Sequence, residues 1–185
     1  FTLSSGFNSD VGVSNISQPE NGLLTTTETV EVAIRNFGLT AQGNFPVELS
    51  LDGSVVATEN FAGTLQPNEV INFTFAQTVD LSTAGQDYSI VARTVLPSDE
   101  FSANDPYTKT VRHLLADDVG VQEITGPVSG NSLGSETVSV ILKNFGAVAQ
   151  SNFSVSYSID GGAPVTELVT DVIDSEETLL FNFSQ

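Results

Sequence analysis

One feature constrains this chain more than any other. Residues 118–185 repeat residues 10–77 without a gap, identical at 28 of 68 positions. The offset is constant: Asp10 recurs as Asp118, and Asn36-Phe37-Gly38 as Asn144-Phe145-Gly146, each 108 residues on. A constant offset means one structural unit used twice, and a period near 100 residues is the size of a small domain rather than of a solenoid repeat.

Within the repeat the apolar residues alternate, as they do in strands buried on one face. Val30, Val32 and Ile34 alternate with Glu31, Ala33 and Arg35; Phe45, Val47, Leu49 and Leu51 share one face; Ile71, Phe73 and Phe75 share another. The second copy keeps these positions apolar, as Val138, Val140 and Leu142, then Phe153, Val155, Tyr157 and Ile159, then Leu179, Phe181 and Phe183. Outward positions drift instead, Glu31 to Ser139 and Glu48 to Ser156. Retaining the inward phase while the surface changes is what a sandwich requires, because a slip of one residue would turn every core side chain to water. The first copy predicts strands over 11–16, 29–36, 45–51, 54–62, about 71–75, 88–95 and 107–114, with Asp52-Gly53 as a tight hairpin turn. No helical period persists over ten residues. The expected fold is all-β: two immunoglobulin-like β-sandwiches in tandem, repeat 1 over 10–116 and repeat 2 over 117–185.

The second copy stops short. Gln185 matches Gln77, so repeat 2 lacks counterparts of 78–114 and with them its last two strands. Such a sandwich would expose an edge strand and an apolar face. The 185 residues therefore read as two links of a longer array; the alternative is that another chain donates the missing strands. Residues 1–9 read as a linker or the end of a preceding segment, with Thr2-Leu3 in register with Thr110-Val111. Between the copies, Val111 to Asp118 contains no Gly, Pro or Ser, which predicts a stiff joint.

Composition narrows the function. Five Lys and Arg stand against 23 Asp and Glu, a net charge of −18, which argues against nucleic acid and anionic membranes because both need clustered cations. There is no cysteine, so core burial and not disulfides or thiolate metal sites must hold the units together. No apolar run is long enough to span a bilayer as a helix. His113 is the single histidine; it has no nucleophile elbow beside it and too few companions for zinc, so no enzyme chemistry is expected. Trp is absent and most of the 12 Phe occupy inward or corner positions, which disfavours a sugar platform.

The candidate sites are acidic. Asp99, Glu100, Asn104 and Asp105 lie in the loop before the last strand and offer hard oxygen ligands of the kind calcium takes. The competing reading is that Asp and Asn there open turns by bonding their own backbone. Asp117 and Asp118 at the joint are a second place where calcium could act, against the simpler reading that Asp118, like Asp10, opens a strand. The Asn-Phe-Gly runs look like a corner in which Gly relieves the backbone and Phe plugs the sandwich end. Tyr88, opening the sixth strand, looks like a tyrosine corner whose hydroxyl caps a nearby backbone group.

Together, Asp-Val-Gly-Val at 10–13, Glu-Thr-Val at 28–30, Asn-Phe-Gly at 36–38, Ala-Gln-x-Asn-Phe at 41–45, the Asp-Gly hairpin, Tyr88, the Asp99…Asn104-Asp105 loop and Lys109-Thr-Val make a recognisable set. It resembles the cell-adhesion-related bacterial domain, CARDB, over 10–114 and 118–185. The resemblance implies a non-catalytic repeat module in secreted or cell-surface proteins of the Bacteroidetes type, exported by the type IX route and held at the outer membrane. It implies a stalk or spacer in an adhesin, or else ancillary sandwiches of a secreted hydrolase whose catalytic domain lies elsewhere. Expected partners are neighbouring repeats, other surface proteins or copies of the chain itself, and calcium is the only cofactor suggested. The resemblance carries no catalytic residues to transfer.

Overall fold

A computed structural model of the chain describes residues 6–184. The register proposed for Thr2-Leu3 lies outside them. Among the described residues every regular element is a β-strand, and the chain divides between His113 and Leu114 into two compact units.

The first unit has two sheets. One is β1 (Val11–Gln18), β2 (Glu31–Asn36) and β5 (Val70–Thr74), in the order β1-β2-β5. The other holds β3 (Gln42–Leu51), β4 (Ser54–Leu65), β6 (Asp87–Thr94) and β7 (Pro106–Arg112), in the order β4-β3-β6-β7. The paired strands are all antiparallel, and an isolated bridge between Gly22 and His113 is parallel. This is the immunoglobulin-like sandwich that the alternation predicts. Val30, Val32, Ile34, Phe45, Val47 and Leu49 are all fully buried between the sheets. The β3–β4 hairpin turns at Asp52 (φ 48°) and Gly53 (φ 82°), the two left-handed residues that match the twist of the strands they join. Tyr88 is buried and its hydroxyl accepts the Thr83 N–H at 3.0 Å, as a tyrosine corner should.

The second unit builds the same beginning: β8 (Val119–Gly126), β9 (Ser139–Asn144) and β12 (Thr178–Asn182) in one sheet, β10 (Phe153–Tyr157) and β11 (Val165–Val169) in the other. Its core is Val138, Val140, Leu142, Val155, Val169, Ile173 and Phe183. Ile159 has the inward phase in the sequence, yet it is exposed. In the first unit its counterpart Leu51 pairs with Ile90 of β6, whereas β10 pairs only with β11 among the described residues.

The Asn-Phe-Gly corner works differently from the sequence expectation. Asn36 is the buried member, at 0 % exposure: its amide donates to the carbonyls of Thr40 (2.8 Å) and Leu65 (2.9 Å), and its Oδ1 accepts the Gly38 N–H (2.9 Å). Asn144 repeats all three bonds with Val148, Ile173 and Gly146. The Phe does not plug the sandwich. Phe37 is 37 % exposed and lies under the Arg35 guanidinium, 4.9 Å from its centroid, as Phe145 lies under Lys143. The strand phase explains this: Asn36 and Ile34 face inward, so Phe37 must face out. Glycine is required for room, not for a left-handed φ. A Cβ on Gly38 would sit 2.5 Å from the Asn8 carbonyl oxygen, and one on Gly146 2.7 Å from the Asp118 nitrogen.

Candidate functional site

The acidic loop between β6 and β7 folds back onto β1. Asp99 spends both carboxylate oxygens on backbone: Oδ2 accepts the Val11 N–H at 2.9 Å and Oδ1 the Phe101 N–H at 2.7 Å. Glu100 accepts the Asn8 N–H at 2.7 Å, and its own N–H donates to Ser9. Asn104 donates its side-chain amide to Asp10 at 2.9 Å. Further down, the Asp105 carbonyl accepts the N–H groups of Val13 and Thr94, and the Thr94 hydroxyl donates to the Val11 carbonyl. Phe101 stacks on Phe7, centroids 5.3 Å apart. Three of the four residues proposed as ligands thus tie the start of β1 to the β6–β7 loop, closing the side of the sandwich where its two sheets would otherwise gape.

The fourth, Asp105, is 9 % exposed, and its Oδ1 is buried without a hydrogen-bond partner; so is the Oδ1 of Asn104. Burial raises the Asp105 carboxyl to about 6, helped by the charges of Asp99 and Asp10 and opposed by Arg93. Among the described residues, no three His, Cys, Asp or Glu side chains are grouped so as to hold a metal ion.

A folded-state value above the ordinary 3.8 means that the native state holds this proton more tightly than the unfolded chain. Stability should therefore fall as the pH rises from about 4 to about 6, with the full cost present above that window. Asp105→Asn removes the charge and should stabilise the first unit by about 1–2 kcal/mol at pH 7 but by nearly nothing at pH 4. Thermal melts at both values, in chelator, check this; a gain that is the same at pH 4 and 7 would contradict it.

Asp117 and Asp118 are exposed and serve locally in the second unit. Asp117 accepts the Gln150 side-chain amide at 2.6 Å, and the Asp118 carbonyl accepts the N–H groups of Phe145 and Gly146. Asp10, the counterpart of Asp118, is buried instead, because Asn104 covers it. His113 is buried with Nδ1 2.9 Å from the Leu81 carbonyl, so that nitrogen carries the proton and the ring is a structural donor.

Sequence reasoning missed the inward Asn of the corner and the burial of Asp10. A signal for the first was available: Asn-x-Gly recurs at the same register while its surroundings change, and Asn followed by Gly two residues on is a side-chain-to-backbone turn. Asp10 offered none, since its partner lies 94 residues away.

The CARDB family profile matches residues 8–100. Curated protein sequences contain no significant match. Several solved structures are similar in fold. One is a domain named as from a cell-surface protein of Methanosarcina acetivorans, 22 % identical, TM-score 0.49, covering 58 % of this chain and 94 % of that one. Two others are of the CARDB domain of a Pyrococcus furiosus protein. The solution structure is 21 % identical (TM-score 0.45; 58 % of this chain, 96 % of that one), and the crystal structure, described as a complex with di-metal ions, is 20 % identical (TM-score 0.43; 62 % and 97 %). Among the described residues no helix is long and apolar enough to cross a membrane.

Proposed function

The chain belongs to the CARDB family, and from that premise we propose that it is a non-catalytic structural repeat module, a stalk or spacer in a secreted or cell-surface adhesin. The observation that carries this reading is the internal repeat: inward residues are kept at a constant 108-residue offset while outward residues drift. Selection on a spacer acts on folding and length, so the core phase is held and the surface is free. The polar residues that drew attention as ligands support the same reading, since Asp99, Glu100 and Asn104 are engaged in tying the loop to β1. A surface carrying −18 repels copies of itself and stays soluble outside the cell. Its partners are then neighbouring repeats and other surface proteins, with no role for nucleic acid or membrane insertion.

The test is exchange. Replacing this segment in its parent protein by an unrelated pair of β-sandwiches of equal length should leave surface attachment intact, while deletion should weaken it. If the exchange abolishes attachment, the segment itself recognises a ligand and the spacer reading fails. If attachment is untouched by both but secreted hydrolase activity drops, the ancillary-domain reading takes its place.

Calcium is a separate question at the acidic loop. Here we propose that the loop is a structural tie to β1, because an ion would have to displace the amides that Asp99 now accepts. Melting temperatures should agree in excess calcium and in chelator; a rise of several degrees in calcium, lost in Asp105→Asn, would restore the ion site.

A further inference from the structure

The Asp105 carboxyl stands apart from its neighbours. Asp99, Glu100 and Asn104 each spend side-chain atoms on the start of β1. Asp105 is 9 % exposed, and its Oδ1 is buried without a hydrogen-bond partner. A desolvated oxygen with no donor on it keeps its lone pairs for another use. The next residue is Pro106, and this is the one Asp-Pro bond in the chain. Its nitrogen belongs to a tertiary amide and leaves as a secondary amine, a better leaving group once protonated than an ordinary backbone nitrogen.

The carbonyl of that bond is held from both sheets. The Asp105 oxygen accepts the Val13 N–H of β1 at 3.2 Å and the Thr94 N–H of β6 at 3.3 Å. Val13 and Thr94 are both buried, so water does not compete for these donors. Two fixed N–H groups on one carbonyl oxygen stabilise the negative charge that builds there when a nucleophile adds to the carbon.

We propose that the chain cleaves itself at the Asp105–Pro106 bond, with the Asp105 carboxyl as nucleophile and the Val13 and Thr94 N–H groups as the donors that hold the oxyanion. The carboxyl oxygen bonds to the residue's own carbonyl carbon, closing a five-membered ring. The carboxyl proton passes to the Pro106 nitrogen and the C–N bond breaks. The products are a cyclic anhydride on Asp105 and a free amine on Pro106. Pro106 is exposed, and water reaching the broken bond there opens the anhydride to two carboxyls. The reaction consumes the neutral carboxyl. Burial and the charge of Asp99 favour that form, Arg93 on β6 opposes it and Asp10 adds to it, which together place the group at about 6. This single-turnover step goes beyond the spacer reading and does not depend on it. The nicked chain stays in one piece, because β7 remains paired with β6 from Asp87–Arg112 to Arg93–Pro106.

The test holds the 185-residue protein at pH 5, folded and in urea, and follows it by denaturing gel and intact mass. Two fragments are expected, one ending at Asp105 and one beginning at Pro106. They should form at least about tenfold faster from the folded chain, since at this pH most unfolded Asp side chains are ionised. Gel filtration without denaturant should still show one particle. Hydroxylamine in the folded sample should trap the anhydride as a hydroxamate on Asp105. Asp105→Asn, which folds without the buried charge, should lose the cleavage. The proposal fails if the folded chain stays intact, or if urea leaves the rate unchanged, which would be the ordinary acid lability of the bond. It also fails if Asp105→Asn is cut equally, or if cleavage proceeds with no hydroxamate, which would mean direct attack by water.

Discussion

Ile16→Asp should unfold the first unit, and the same substitution at the equivalent position of the second, Ile124→Asp, should be close to silent. Ile16 is 1 % exposed and belongs to the first unit's core, on the strand that packs against β6 and β7. An unpaired carboxylate there would destabilise by more than about 4 kcal/mol, since nothing nearby can solvate or neutralise it. Ile124 is 70 % exposed, and a charge on such a surface changes stability by no more than about 0.5 kcal/mol. Heteronuclear NMR reads the two units separately: Ile16→Asp should collapse the first unit's resonances, whereas Ile124→Asp should leave both sets dispersed. Equal damage from the two substitutions would mean that the second unit's face is covered in solution.

Asn36→Ala should cost about 3 kcal/mol, because it strips the Thr40 and Leu65 carbonyls of their donor inside a fully buried corner. Asn36→Asp is the sharper comparison. It keeps the size and the acceptor for Gly38 but turns two donated bonds into a carboxylate facing two carbonyl oxygens. It should be at least as harmful as the alanine. Urea unfolding with an unchanged slope and a lower midpoint is the expected signature; a wild-type midpoint for Asn36→Asp would show that the donor role is not what holds the corner. Asn144, with the same three bonds, should behave alike in the second unit.

Much of this architecture is legible in the residues. The strands of the first unit fall where alternation places them, since Val30, Val32 and Ile34 or Phe45, Val47 and Leu49 can share a face only in an extended chain, and burial follows that face. The Asp52-Gly53 turn and the Tyr88 cap are local chemistry, and they are found as read. The Phe of the corner faces out although it is the apolar member of Asn-Phe-Gly, because the strand phase set by Ile34 assigns Asn36 to the inside. The acidic loop shows the other limit. Its residues read as ligands because three of their partners, the N–H groups of Asn8 and Val11 and the Asp10 carboxylate, lie some 90 positions earlier, where nothing local signals the pairing.

By itself, then, the sequence determined the unit, its period, the inward and outward phase of each strand and the all-β class, because these follow from side-chain polarity and the two-residue repeat of an extended backbone. Only the tertiary structure decided that Asp10 is buried where Asp118 is exposed, that Val13 is core where Val121 meets water, and that Asp105 sits at about 6. Identical residues in identical local settings part company there. Burial and desolvation depend on what the rest of the chain lays over them, and the β6–β7 hairpin covers the first unit.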